Sequence, residues 1–309
     1  MHIEVKKVQE FLGHKAAVYG LMWHSELGLI SGGGNGWLVN WNVVNNAEGN
    51  LLAKIENRIF TLASHQDTIL AGTLVGNLIF LQKAEDKWIP RVIKAHEKGL
   101  FAIFTHPDYF LTGGGDGYLC KWNWKGEQLN RIRLGNNSIR NFDLHPTEDT
   151  LAVSTSEGHV HFIHHNLLAR VIPAYENAHD PSVFCSLWNS DGDQLISGGR
   201  DALMKIWKYP DFQPQAEVVK AHLYTINAMA TSPDQKLLAT GSRDRTIKIW
   251  DKSTFALLKV IDVMKHEGHV NSVNNLLWNE TGLFSASDDR KIIQWEIQNA
   301  VAGLPKSDN

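Results

Sequence analysis

Five times along the chain a histidine is followed, 20 to 22 residues later, by Asp or Asn. A Ser or Thr lies four residues before that group, and a Trp lies six residues after it. The sets are His14, Ser31, Asn35, Trp41; His96, Thr112, Asp116, Trp122; His179, Ser197, Asp201, Trp207; His222, Thr240, Asp244, Trp250; and His269, Ser285, Asp289, Trp295. Imidazole, hydroxyl and carboxylate are the parts of a nucleophilic triad, in which histidine takes the hydroxyl proton and the carboxylate orients the histidine. An enzyme needs one such site, with distinctive positioning and perturbed groups. Five similar sets point instead to a structural device, and no catalytic residue is assigned.

The remaining reactive residue types offer little. His159 and His161 lie two apart in GHVHFIHH, so on a strand they share a face. Such a pair can bind zinc or copper, but no carboxylate or cysteine completes the set at a helpful spacing. A surface or packing role is expected, and no metal or cofactor is assigned. His106–Pro107 and His145–Pro146 read as turn starts. Cys120 and Cys185 are the only cysteines, 65 positions apart, which makes no disulfide framework and fits a reducing compartment. Signatures for nucleotide-binding loops and zinc clusters are absent. A net charge of −3 without a Lys/Arg run gives no electrostatic reason to expect nucleic acid. No stretch approaches 18 apolar residues, and the opening MHIEVKKVQE has no apolar signal core. A cytoplasmic protein without membrane contact is expected.

The sets sit on a repeated element. LISGGGNGWLVNW (29–41), FLTGGGDGYLCKW (110–122), LISGGRDALMKIW (195–207), LATGSRDRTIKIW (238–250) and LFSASDDRKIIQW (283–295) each read as strand, tight turn and second strand. LAVSTSEGHVHFI (151–163) keeps Glu157 but has Val153 and Ile163 in place of the hydroxyl and the Trp. ILAGTLVGNLIFL (69–81) keeps only the strand–turn–strand pattern. Repeats therefore begin near residues 14, 57, 96, 137, 179, 222 and 269, at the 39-to-47-residue spacing of four-stranded propeller blades. Gly13–His14, Gly268–His269, the turn acids and Trp250–Asp251 resemble WD40 repeats over about residues 3 to 297. Only one repeat ends in a literal Trp–Asp; Asn42, Asn123, Lys208 and Glu296 stand for the Asp elsewhere.

The resemblance implies an all-β, seven-bladed propeller with four-stranded antiparallel blades. The last repeat supplies only three strands, and IEVKKVQEF (3–11) alternates with no other role. That segment is expected to complete the last blade and so remove exposed sheet edges. Residues 1–300 would form one propeller, and 301–309 a tail. The resemblance also places the histidines and turn acids on one face of the disc. There a buried imidazole can meet the carboxylate and the hydroxyl, and the hydroxyl can engage the indole N–H.

Function then falls to the surface. One residue beyond the apolar anchor of each inner strand come Tyr19, Phe60, Phe101, Arg140, Phe184, Asn227 and Asn274, expected at the mouth of the central channel. In WD40 propellers that ring commonly meets a partner peptide. Aromatic faces can accept Arg or Lys side chains, and aromatics with Arg are enriched at binding hot spots. Packing of the same aromatics into a channel plug is the competing reading. Arg200, Arg243 and Asp288 precede the turn acids on that face. The leading function is a non-catalytic scaffold or adaptor binding other proteins or peptides. The alternative is a propeller enzyme or small-ligand binder using the central channel.

Overall fold

Each repeat folds as its alternation and turn chemistry require. A computed structural model describes residues 2–44, 47–85, 87–211 and 215–299; the expected tail at 301–309 lies outside them. Blade one is built from Val18–His24, Gly28–Gly33, Trp37–Trp41 and Gly49–Lys54, hydrogen-bonded in that order from the channel outward. Blades two to six repeat the plan over residues 59–94, 100–133, 139–175, 183–220 and 226–261. Blade seven takes Val273–Asn279, Gly282–Ser287 and Ile292–Asn299 from one end of the chain and Ile3–Phe11 from the other. The closing strand runs antiparallel, from Ile3 opposite Asn299 to Phe11 opposite Ile292.

The closure is packed as well as hydrogen-bonded. Ile3 and Phe11 are buried, and Phe11 lies edge-on to Trp41 of blade one, with ring centroids 5.7 Å apart. Lys7 pairs with Glu10, whose carboxylate also receives Lys291 at 3.3 Å. The core lies between neighbouring sheets: Phe11, Val18, Leu29, Trp41, Phe284 and Ile292 form one cluster across blades seven and one. Second strands such as Phe110–Gly114 and Leu237–Ser242 are buried along their whole length, because a blade covers each of their faces. Small and apolar residues in unbroken runs are the sequence trace of that double burial.

The turn between second and third strands fixes the face on which the recurrent polar residues meet. It needs one residue in the left-handed region, supplied by Gly36, Gly76, Gly117 and Gly158 in blades one to four. A Cβ on Gly76 would lie 2.1 Å from the His96 carbonyl oxygen, and one on Gly36 would lie 1.9 Å from that of Ile55. Gly117 meets Gly135 in the same way, so Ile55 and Gly135 occupy the histidine position in blades two and four. Those positions lie two residues ahead of the starts read from the sequence.

Candidate partner-binding face

The inner strand of every blade carries an irregularity at one place. Its register against the second strand slips by one residue at Tyr19, Phe60, Phe101, Arg140, Phe184, Asn227 and Asn274. A bulge of this kind leaves one residue outside the ladder and re-aims its side chain. Here seven bulges arrange seven half-buried side chains around a depression of about 460 Å³.

The depression has an aromatic side and an amide side. Tyr19 stacks on Phe60 with centroids 4.6 Å apart, and Phe60 meets Phe101 edge-on at 5.5 Å. The Arg140 guanidinium lies over Phe101 at 4.7 Å and over Phe184 at 5.2 Å, while its Nε donates to Ser156 Oγ at 2.6 Å. The protein's own arginine thus fills the cation position between those two rings. Asn227 Nδ2 donates to Ser272 Oγ and to the Val273 carbonyl; Asn274 Nδ2 donates to the Val18 carbonyl and to Asp288. The bonds to Ser272, Val273 and Val18 tie each asparagine to the next blade, and the bond to Asp288 lies within blade seven. Burial raises the Tyr19 hydroxyl pKa, and the neighbouring Asp288 carboxylate raises it further. Arg200 and Arg243 stand exposed at their turns, their backbone N–H groups bound to the Ser182 and Thr225 carbonyls.

Beneath this face lie the five polar sets. In blade six His222 Nδ1 is 2.9 Å from Asp244, its Nε2 is 2.7 Å from Thr240 Oγ1, and Trp250 Nε1 donates to the same oxygen at 2.9 Å. Blade three repeats this at 3.0, 2.8 and 2.9 Å through His96, Asp116, Thr112 and Trp122. Blade five has His179, Asp201, Ser197 and Trp207, with all three contacts at 2.8 Å. Blade seven has His269, Asp289, Ser285 and Trp295 at 2.9, 2.8 and 2.9 Å. In blade one Ser31 is 2.7 Å from both His14 and Trp41, and Asn35 takes the carboxylate's place at 3.2 Å.

An indole N–H only donates, so one oxygen lone pair is taken and the hydroxyl proton can point to histidine Nε2. Nδ1–H then donates to the carboxylate, or to the Asn35 amide oxygen in blade one. The proton order is that of a catalytic triad, but the hydroxyl has no route to a substrate: Ser31, Thr112, Ser197, Thr240 and Ser285 are all 0% exposed. Burial by itself would raise the Asp116 pKa. Hydrogen bonds from His96 and from the Glu97 and Tyr118 backbone outweigh that and bring it to about 2. Asp201, Asp244 and Asp289 are lowered by the same balance. Burial lowers His14 and His222, against the raising effect of Asn35 and Asp244.

Three stretches, 172–208, 213–251 and 260–296, match the family model "WD domain, G-beta repeat". The crystal structure of the WD40 β-propeller domain of Doa1 superposes with a TM-score of 0.82 over 95% of this chain and 97% of that one, at 14% identity. The chain is a seven-bladed β-propeller that carries WD40 repeats in those three stretches. Among sequence relatives, nuclear distribution protein nudF of Aspergillus terreus is 24% identical over 69% of this chain and 63% of its own length. The kinesin-like protein KIF21A of Homo sapiens is 32% identical over 36% of this chain but 6% of its own. The anaphase-promoting complex subunit cdc20 of Dictyostelium discoideum is 34% identical over 34% of this chain and 21% of its own. The chain therefore spans only part of the length of these relatives.

On the opposite face the propeller has a second set of histidines whose contacts the sequence did not disclose. His24 is the last residue of the inner strand of blade one, and His145 follows the inner strand Ile139–Leu144 of blade four. Each accepts two backbone N–H groups at Nδ1, so its Nε2–H donates to a turn carbonyl of the next blade, Gln66 at 3.1 Å or Gly192 at 2.9 Å. The available signal was position: a histidine at the end of an inner strand, followed by Pro107 or Pro146 in blades three and four. Nearby, Tyr109 and His165 are buried and hydrogen-bonded, with His165 3.5 Å from Asp149. His159 and His161 lie edge-on with ring centroids 6.2 Å apart, and no three His, Cys, Asp or Glu gather for a metal among the described residues. Cys120 and Cys185 are buried free thiols, and burial pushes Cys120 up to about 12. No helix among the described residues is long and apolar enough to cross a membrane.

Proposed function

We propose that this WD40 propeller is a non-catalytic scaffold that binds partner proteins through the face carrying the channel mouth. The observation that carries the proposal is the sevenfold bulge, which holds Tyr19, Phe60, Phe101, Arg140, Phe184, Asn227 and Asn274 half-buried around one depression. Aromatic and arginine side chains held by packing suit protein recognition, since little rotamer freedom is lost on binding. The cdc20 relative is by name a subunit of a larger complex. A cationic side chain from a partner has its place at the Tyr19–Phe60 stack, beside Asp288, because Arg140 occupies the rings of Phe101 and Phe184.

The test is quantitative affinity capture from the native cell with wild type and the Phe101→Ala/Phe184→Ala double variant. Proteins held by this face are expected to fall at least about tenfold in the variant while its melting temperature shows an intact fold. Equal recovery from a folded variant removes the face from the binding site.

A further inference from the structure

Blades one to four place glycine in the left-handed turn position; blade six places Arg245 there, at φ 75°, and blade seven Arg290, at φ 72°. Left-handed backbone disfavours every side chain with a Cβ, and a long cation gains nothing from that conformation by itself. Arg243 and Arg245 flank Asp244, whose carboxylate is already committed to His222 and to the Leu223 backbone N–H. All of Arg200, Arg243, Arg245 and Arg290 are exposed, and among the described residues none makes an ion pair or a side-chain hydrogen bond. Between the two blade-six arginines opens a cleft of about 460 Å³, whose other walls are Leu223, Tyr224 and Asp244. Leu223 is 84% exposed and Tyr224 60%.

Unpaired guanidinium groups beside an uncovered leucine and tyrosine call for a partner that brings both carboxylates and apolar surface. We infer that the blade-six cleft docks a partner-protein segment in which Asp or Glu flanks a large apolar side chain. The inference rests on the scaffold reading and adds the chemistry of the partner. Each arginine can take a carboxylate through a two-pronged charge-assisted bond, and the apolar residue covers Leu223 and Tyr224. A nucleic acid fits less well. Phosphate binding needs a basic track along the surface, and this chain has a net charge of −3 with Asp180 and Asp288 exposed in the neighbouring blades.

The experiment pans a phage-displayed random 12-residue library on the intact chain, then measures a synthetic copy of the most enriched peptide by fluorescence anisotropy. Enriched sequences are expected to hold two or more Asp/Glu within four residues of Leu, Ile or Phe. Affinity is expected to drop about tenfold or more in Arg243→Ala/Arg245→Ala and in Leu223→Ala/Tyr224→Ala. Arg245→Gly installs the residue that blades one to four use, so it is expected to fold at least as stably as wild type while still losing affinity. Peptides without acidic enrichment, no enrichment at all, unchanged affinity in the arginine variant, or equally tight binding of a fluorescein-labelled thymidine 12-mer overturns the inference. The Phe101→Ala/Phe184→Ala variant is measured alongside. Acidic peptides that bind it normally, while cellular partners are retained in full, refute the channel-mouth reading alone.

Discussion

The hydroxyl at the centre of each polar set gives the sharpest energetic test. Thr240→Val in blade six replaces one branched side chain by another of nearly the same volume, so no cavity opens. It strips Trp250 Nε1–H of its acceptor at 2.9 Å and His222 Nε2 of its partner at 2.7 Å. Both contacts are fully buried. A buried polar group left unpaired costs about 1–3 kcal/mol, so two orphans cost about 2–6 kcal/mol. For a domain of this size each kcal/mol lowers the melting temperature by about 2 °C, which predicts a fall of about 4–12 °C. Calorimetry reads it directly, and Trp250→Phe completes a double-mutant cycle. The double variant is expected to cost at least about 1 kcal/mol less than the two single variants added together, because the indole orphan disappears. Blade four shows the same logic in the natural chain: Val153 replaces the hydroxyl, Ile163 the Trp and Gly135 the histidine together, so none of those three positions leaves a polar side chain unpaired. A loss below about 0.5 kcal/mol for Thr240→Val would show that the networks add nothing beyond packing.

Gly76→Ala sets a Cβ 2.1 Å from the His96 carbonyl oxygen and 2.4 Å from that of Lys98, neither of which can yield, so a loss of about 2 kcal/mol or more is expected in chemical denaturation. Ala202→Gly, at the equivalent turn with φ 65°, is expected to stay within about 1 kcal/mol of wild type. His161 is buried, and both its ring nitrogens lack a partner among the described residues. Burial, with Arg170 and His159 adding to it against Glu157, draws its pKa to about 4. That value lies below the unfolded one near 6.5, so the folded state loses stability as pH falls from about 6.5 through about 4. His161→Phe should therefore gain melting temperature over wild type, with the gap widening between pH 7 and pH 4; a constant gap would contradict it. Asp116 adds a second acid-sensitive contribution, present above pH 4 or so and lost as pH falls through about 2. Removal of residues 3–11 opens an edge on Ile292–Asn299, and light scattering is expected to show more association than in the wild type at the same concentration.

Much of the architecture was readable because its signals are local. A strand shows as alternation, and a hairpin shows as small and acidic residues between two such runs. Even blade two, stripped of its histidine, acid and Trp, could be counted from ILAGTLVGNLIFL. The outer strand at 3–11 could be placed because one repeat was a strand short. Residues of the channel mouth could be picked by counting one position past each apolar anchor. The bulge that aims them left no trace, since it is a backbone irregularity compatible with Tyr, Phe, Arg and Asn alike.

The sequence by itself determined the number of repeats and the identity of the polar sets, because these follow from neighbours within one repeat; the face on which the sets lie was implied by the resemblance to WD40 repeats. Only the tertiary structure decided how residues from different repeats use one another. It put Arg140 between Phe101 and Phe184, tied Asn274 to the blade-one backbone, left the His161 imidazole without a hydrogen-bond partner among the described residues and exposed Leu223 beside two arginines. Those contacts join positions separated by some forty residues or by nearly the whole chain, or depend on which space a neighbouring blade leaves open. Periodicity along the chain carries no information about either.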